Sequence, residues 1–164
     1  MTPQPARETH PNAELVRRLY GCLDRHQPEE MAKCYHPDAT FHDIAFDLSG
    51  KERIAAMWRM ICAGDIRAAL ESVQAGDAAG SATVVDQYTF TDTGRPVRNR
   101  IQSEFRYRDG LIVEHRDSCD ARAWASAAIG GAAGFLAGRF RFLRAWKAGR
   151  KLSRFVRASG AGLR

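Results

Sequence analysis

A chain of 164 residues fits one domain with room for a single core. Its composition, 45% hydrophobic and 27% charged, is that of a soluble globular protein, and no apolar run is long enough to suggest a membrane span. The formal charge of +6 hides an asymmetry: residues 1–120 carry 15 basic against 19 acidic side chains, a net of −4, whereas residues 121–164 carry ten basic and no acidic ones, which points to a basic interacting segment rather than a basic enzyme.

Residues 1–11 hold three prolines and no apolar run, and are expected to form a flexible arm rather than a signal peptide. Asn12 is the expected N-cap of a first helix, in which Leu15, Val16, Leu19 and Leu23 recur at helical spacing, with Tyr20 at the edge of the stripe. A second, short helix starts at Pro28, followed by Glu29 and Glu30 in its first turn, and buries Met31, Cys34 and Tyr35. From Tyr35 to Asp43 the pattern reads as a helix end, a turn through Pro37 and a short strand. Strand alternation puts Ala39, Phe41 and Asp43 on one face and Thr40 and His42 on the other. If Phe41 marks the buried side, Asp43 is carried into an apolar environment, where a carboxylate is either a structural anchor or a working acid/base. His42 points the wrong way to pair with it.

Ser49-Gly50-Lys51-Glu52 has the form of a capping box. It opens a third helix with an apolar face of Ile54, Met57, Trp58 and Ile61, and Gly64 is its stop. The period then changes to two, predicting strands over 66–75, 81–91, 97–108 and 111–119, the last two joined by an Asp109-Gly110 turn. In the third of these, Val97, Asn99, Ile101, Ser103, Phe105 and Tyr107 share the inner face, opposite a charged face of Arg98, Arg100, Gln102, Glu104, Arg106 and Arg108 that is solvated or meets a second subunit. In the fourth, Leu111, Val113, His115 and Asp117 share a face. The element order predicts an α+β fold, a strongly curved, mostly antiparallel sheet wrapped around the N-terminal helices.

The tail, 121–164, begins with a helix over Arg122–Ile129 and is interrupted by Gly130-Gly131-Ala132-Ala133-Gly134. Further on, Arg144, Lys147, Lys151 and Arg154 form one basic face, with Trp146 roughly opposite. Such a helix suits an anionic membrane surface or a partner; the alternative is that its apolar face packs on the domain. No base-reading motif supports nucleic acid as a partner. The four cysteines (Cys22, Cys34, Cys62, Cys119) show no metal-ligand spacing and read as reduced thiols of a cytoplasmic protein, peripheral to the membrane if the tail docks there. There is no glycine-rich phosphate loop, nucleophile elbow or carboxylate cluster, so neither cofactor nor metal is expected.

Three short patterns occur in order: Tyr35, Ala39, Thr40 and Asp43; Gly50, Lys51, Glu52 and Ile54; and Asp109 to His115. With them, residues 12–120 resemble the nuclear transport factor 2-like superfamily, and within it the ketosteroid-isomerase-like and polyketide-cyclase (SnoaL-like) proteins. The resemblance implies a cone-shaped fold with a deep apolar pocket, in a homodimer formed through the sheet. It puts Asp43 at the position of a general base that moves a proton beside a carbonyl. The oxyanion-binding Tyr of the isomerases falls on Leu19, one position from Tyr20, and their neutral aspartic acid falls near Ser103; His115 and Asp117 are closer to the polyketide-cyclase pattern. The expected catalytic set is therefore Asp43, His115, Asp117 and Tyr20, in a pocket lined by Tyr35, Phe41, Trp58, Asn99, Ser103 and Phe105. It would act on a hydrophobic carbonyl compound or epoxide. The alternative is a non-catalytic module that binds an apolar small molecule.

Overall fold

The computed structural model describes residues 10–131, 133 and 141–160, those of 141–147 as backbone alone. The elements are α1 (Pro11–Asp24), α2 (Pro28–Ala32), β1 (Tyr35–His42), β2 (Asp47–Ser49), α3 (Lys51–Cys62), β3 (Arg67–Ala75), β4 (Ala79–Phe90), β5 (Arg95–Arg108), β6 (Leu111–Ser118), α4 (Ala121–Ala128) and α5 (Arg141–Ala158). Six strands form one curved, open sheet in the order β2-β1-β6-β5-β4-β3. β3 to β6 are an antiparallel meander, and β1 joins it in parallel with β6. Helix α1 packs on β3 and β4 and helix α3 on β1 and β2. Between helices and sheet lies one core that includes Val16, Leu19, Met31, Phe41, Ile54, Met57, Val84 and Phe105.

Strong local signals locate most of these elements. Asp109 and Gly110 both have positive φ (54° and 71°), which is the backbone a two-residue hairpin turn needs to match strand twist. Along β5 the expected alternation holds from Val97 to Arg108, with every residue of the charged face exposed.

The ends of the helices depart from expectation. Helix α1 begins at Pro11, one residue into the expected arm, and His10 is its N-cap, Nδ1 accepting from the Asn12 amide at 3.1 Å. The Asn12 side chain instead donates to the carbonyls of Gly76 (2.9 Å) and Asp77 (3.2 Å), tying α1 to the β3–β4 turn. Asn12→Ala is therefore expected to lower stability by about 1–2 kcal/mol, because it strips two buried-end bonds without touching the cap. A urea midpoint equal to that of the parent would show the tie to be idle. The capping box does not form either. Ser49 ends β2, a strand the sequence pattern did not suggest, and Gly50 is the N-cap, with no side-chain cap bond. Gly50 sits at φ 90°, and its amide bonds the Ala39 carbonyl at 2.8 Å, so pairing of β2 with β1 takes precedence over the box.

Two register shifts also escape simple alternation. β1 starts at Tyr35 rather than after a helix end, and His36 to Ala39 bulge out between the pairs Tyr35–Ile112 and Thr40–Glu114. In β6, Arg106 faces Glu114 but Tyr107 faces Ile112, so Val113 is an inserted residue. Leu111 and Val113 therefore do not share a face with His115 and Asp117 in the expected way. Ile112 is buried below the bulge and His115 above it.

Of the tail, α4 and α5 are described, while the side chains of Arg144, Trp146 and Lys147 and residues Ala132 and Gly134 of the glycine-rich segment lie outside the described set. In α5, Leu152 is buried in the main core. Lys151 turns to the β4–β5 hairpin, where it donates to Thr91 and lies 3.9 Å from Asp92. Arg154 is exposed. No helix among the described residues is long and apolar enough to cross a membrane.

Candidate functional site

The inner face of the sheet carries a continuous chain of polar side chains through an otherwise apolar core. At its centre is His115, fully buried. Phe105 and Phe41 close on the imidazole with ring centroids 4.6 and 4.9 Å away, and Tyr35 stacks at 6.1 Å. His115 Nδ1 lies 2.8 Å from the Tyr35 hydroxyl, and Nε2 lies 2.8 Å from Asp117 Oδ1. Trp58 Nε1 donates to the Tyr35 oxygen at 3.2 Å. On the other side, Ser103 donates to the same Asp117 oxygen at 2.5 Å, and the Tyr20 hydroxyl lies 2.6 Å from Ser103 Oγ.

The bonds at the two ends of this chain have fixed directions. An indole N–H can only donate and a carboxylate can only accept. Trp58 therefore donates to the Tyr35 oxygen, and the His115 Nε2–H donates to Asp117, with the Tyr35 hydroxyl and His115 Nδ1 sharing the bond between them. Ser103 likewise donates to Asp117 and accepts from Tyr20. Two runs of donors thus converge on one oxygen of Asp117. Burial first, and the Asp117 charge after it, push the Tyr20 phenol well above its ordinary value, and burial does the same to Tyr35. Both remain neutral.

Six of the residues singled out from sequence, Tyr20, Tyr35, Trp58, Ser103, His115 and Asp117, are therefore brought together as one network, with Phe41 and Phe105 as its apolar walls. Tyr20 spends its proton on Ser103, not on open space. Asn99 stands apart from the network and hydrogen-bonds the Cys119 thiol.

Asp43 follows β1 directly and keeps the Phe41 side, part-buried. Its Oδ1 accepts from the amides of Ala45 (2.7 Å) and Phe46 (2.5 Å), and its own amide donates to the Phe46 carbonyl. It is thus the anchor of a tight loop. It is also perturbed: burial outweighs those two bonds and, with a smaller push from the Asp117 charge, raises the carboxyl from 3.8 to about 6. The anchor and acid/base readings of Asp43 describe the same side chain.

A further carboxylate was missed. Asp86 lies on β4 between Val84 and Tyr88 on the inward face, is 8% exposed, and its Oδ1 is buried with no hydrogen-bond partner among the described residues. Burial, then the charges of Asp117 and Asp43, raise it to about 7. The signal was available: Val84, Asp86, Tyr88 and Phe90 alternate as an apolar face with one acid in it, just as Phe41 precedes Asp43. Cys119, beside the same three carboxylates, has its thiol raised chiefly by burial. Over this end of the sheet lies α4, capped by Asp120. Trp124 Nε1 donates to the Tyr88 hydroxyl at 2.7 Å, and its ring meets Phe90 edge-on at 5.6 Å. Among the described residues, no three His, Cys, Asp or Glu side chains converge closely enough to hold one metal ion. A separate open groove of about 830 Å³ lies among β3–β6 residues that include Glu104, Arg106, Glu114 and Arg116, away from the inward carboxylates.

Residues 16–115 match the family described as SnoaL-like domain. Three solved structures are similar in fold. A hypothetical protein of Catenulispora acidiphila with a ketosteroid isomerase-like fold, in complex with trimethylamine, has a TM-score of 0.63 at 14% identity over 70% of this chain and 92% of that one. An LEH-like epoxide hydrolase of M. tuberculosis has a TM-score of 0.62 at 18% identity over 83% and 97%. An NTF2-like protein of unknown function from Burkholderia pseudomallei has a TM-score of 0.61 at 16% identity over 68% and 92%. No curated protein matches the chain.

Proposed function

The chain belongs to the SnoaL-like domain family, and from that membership we propose that it is a small-molecule enzyme whose inward carboxylates do acid–base chemistry on a hydrophobic carbonyl compound or epoxide. The observation that carries this reading is the pairing of Asp43 with Asp86. Asp43, just after β1, and Asp86 on β4 face the same interior, each raised toward neutrality, and one oxygen of Asp86 has no hydrogen-bond partner among the described residues.

In this reading Asp43, ionised, is the general base and Asp86, protonated, is the acid. With a carbonyl substrate, Asp43 takes the proton from the carbon beside the carbonyl while Asp86 donates a hydrogen bond to the developing oxyanion; the proton then returns to another carbon. With an epoxide, Asp43 takes a proton from the attacking water while Asp86 gives one to the ring oxygen as the C–O bond breaks. Burial raises both acids first, and Asp117, held from two sides by His115 and Ser103, adds its negative charge to that push. His115 and Tyr20 act through Asp117 as positioning residues. The nearest alternative, a binding module for an apolar ligand, draws support from the two amide bonds that tie down Asp43.

Deuterium incorporation from D2O beside the carbonyl of 2-tetralone, together with hydrolysis of styrene oxide, tests the reading. Asp43→Asn is expected to cut whichever rate is seen by about 10²–10⁴-fold with the fold intact. If neither reaction is accelerated and Asp43→Asn binds 2-tetralone as the parent does, the binding module is the correct reading.

A further inference from the structure

Ten basic side chains and no acidic one lie in residues 121–164, and the acid–base chemistry uses none of them. Helix α5 divides its own sides. Leu152 is buried in the main core, Val156 packs against that core and Phe155 is half-buried beside it. Lys151 turns onto the β4–β5 hairpin, where it lies 3.9 Å from Asp92 and 6.0 Å from the centre of the Phe90 ring. At about 100° per residue, Arg150, Arg154 and Arg157 fall within roughly 60° of one another on the side opposite Leu152, and all three are exposed.

This face differs from the one that spacing suggests. Lys151 leaves it for the hairpin, and Arg150 and Arg157 join Arg154. The apolar side of the helix belongs to the protein's own core, so it is not free to lie among acyl chains as in an amphipathic membrane helix. Its outward side presents charge alone, and neither Arg154 nor Arg157 has an ion-pair partner among the described residues. A second copy of the chain is a poor match for that charge. Acidic side chains such as Glu29, Glu30 and Glu71 are already paired with Arg59, Arg18 and Arg100, and the outer face of β5 is itself rich in arginine. Single-stranded nucleic acid binds where bases stack on aromatic side chains, and Phe155 lies on the Leu152 side of the helix.

We propose that the outward face of α5 docks the protein on an anionic lipid bilayer, Arg150, Arg154 and Arg157 pairing with headgroup phosphates while the apolar side of the helix stays in the protein. A guanidinium meets a phosphate through two parallel N–H···O bonds. The three are spread along about 10 Å of one helix side, a row that a flat surface meets all at once. With no acid in residues 121–164, nothing in the tail opposes the attraction of the leaflet. Binding is electrostatic, grows with the anionic lipid fraction and fades with salt. It does not draw on the interior carboxylates, so its failure would leave the acid–base reading untouched.

Co-sedimentation of the full chain with vesicles tests it, using phosphatidylcholine alone against phosphatidylcholine with about a quarter phosphatidylglycerol. At about 50 mM salt the chain should partition onto the anionic vesicles at least about tenfold more strongly than onto the neutral ones, and about 500 mM salt should release it. Arg154→Ser combined with Arg157→Ser should weaken binding about 20-fold. Arg25→Ser combined with Arg98→Ser removes the same charge from exposed positions elsewhere on the domain and should bind as the parent does. Equal binding to neutral and anionic vesicles, binding that survives about 500 mM salt, or an equal loss in the two double variants overturns the proposal. Displacement from the vesicles by an equimolar duplex DNA also overturns it, and would assign the face to nucleic acid instead.

Discussion

Replacing His115 with leucine is expected to destabilise the fold by about 3 kcal/mol, although leucine is apolar and the site is fully buried. Leucine fills much of the space between Phe41 and Phe105, so the loss comes from the partners and not from a cavity. Tyr35 loses its ring partner and Asp117 loses its ring donor, leaving a buried hydroxyl and a carboxylate each short of a bond. For a chain of this size that lowers Tm by roughly 6–12 °C. Trp58→Phe is expected to cost less, about 1 kcal/mol, because only the donor at the far end of the chain is lost and the phenol keeps its bond to His115. Thermal or urea unfolding of the two variants checks the order. A His115→Leu protein as stable as the parent would mean that the polar chain holds nothing together.

The second large effect is a pH dependence of stability with an unusual sign. Carboxylates raised in the folded state bind protons more tightly there than in the unfolded chain. Their contribution to stability is fully present below an ordinary carboxyl value of 3.8 and is lost as the pH rises through about 6 for Asp43 and about 7 for Asp86. Stability should therefore fall between about pH 4 and 7 and level off above. Asp86→Asn removes the ionisation that burial penalises, so it is expected to stabilise the protein at pH 8 by on the order of 2–4 kcal/mol. The gap should narrow as the pH falls and close near pH 4, where the carboxyl approaches neutrality in the unfolded chain as well. Unfolding midpoints measured across pH 4–8 for both proteins decide it. A parent curve that rises through this range, or an Asp86→Asn protein no more stable than the parent at pH 8, would contradict the buried-acid account.

Much of the site could be read one strand at a time. Alternation from Phe41 put Asp43 inward, and alternation along β5 put Ser103 and Phe105 inward. The i, i+2 spacing of His115 and Asp117 gave them a common face, and it survives because the bulge at Val113 lies before both of them. Asp86 is legible by the same rule, as the one acid on the alternating apolar face of Val84, Tyr88 and Phe90. The caps were less legible. Asn12 and Ser49 are residues that prefer N-caps, but each had a better partner in the tertiary fold: the β3–β4 turn for Asn12, and pairing with β1 for Ser49.

The sequence by itself determined the α+β class, the meander and the inward parity of most site residues, because hydrophobic periodicity and turn chemistry act over a few residues and need no partner from afar. Only the tertiary structure decided that Tyr20, Ser103 and Asp117 meet from α1, β5 and β6, and that Trp58 and Tyr35 meet His115 from α3 and β1. Only there does the direction of the proton chain acquire two fixed ends. The charge on Asp43 and Asp86 was decided there too, since burial and the neighbouring Asp117 are properties of a filled interior that no single stretch of chain carries.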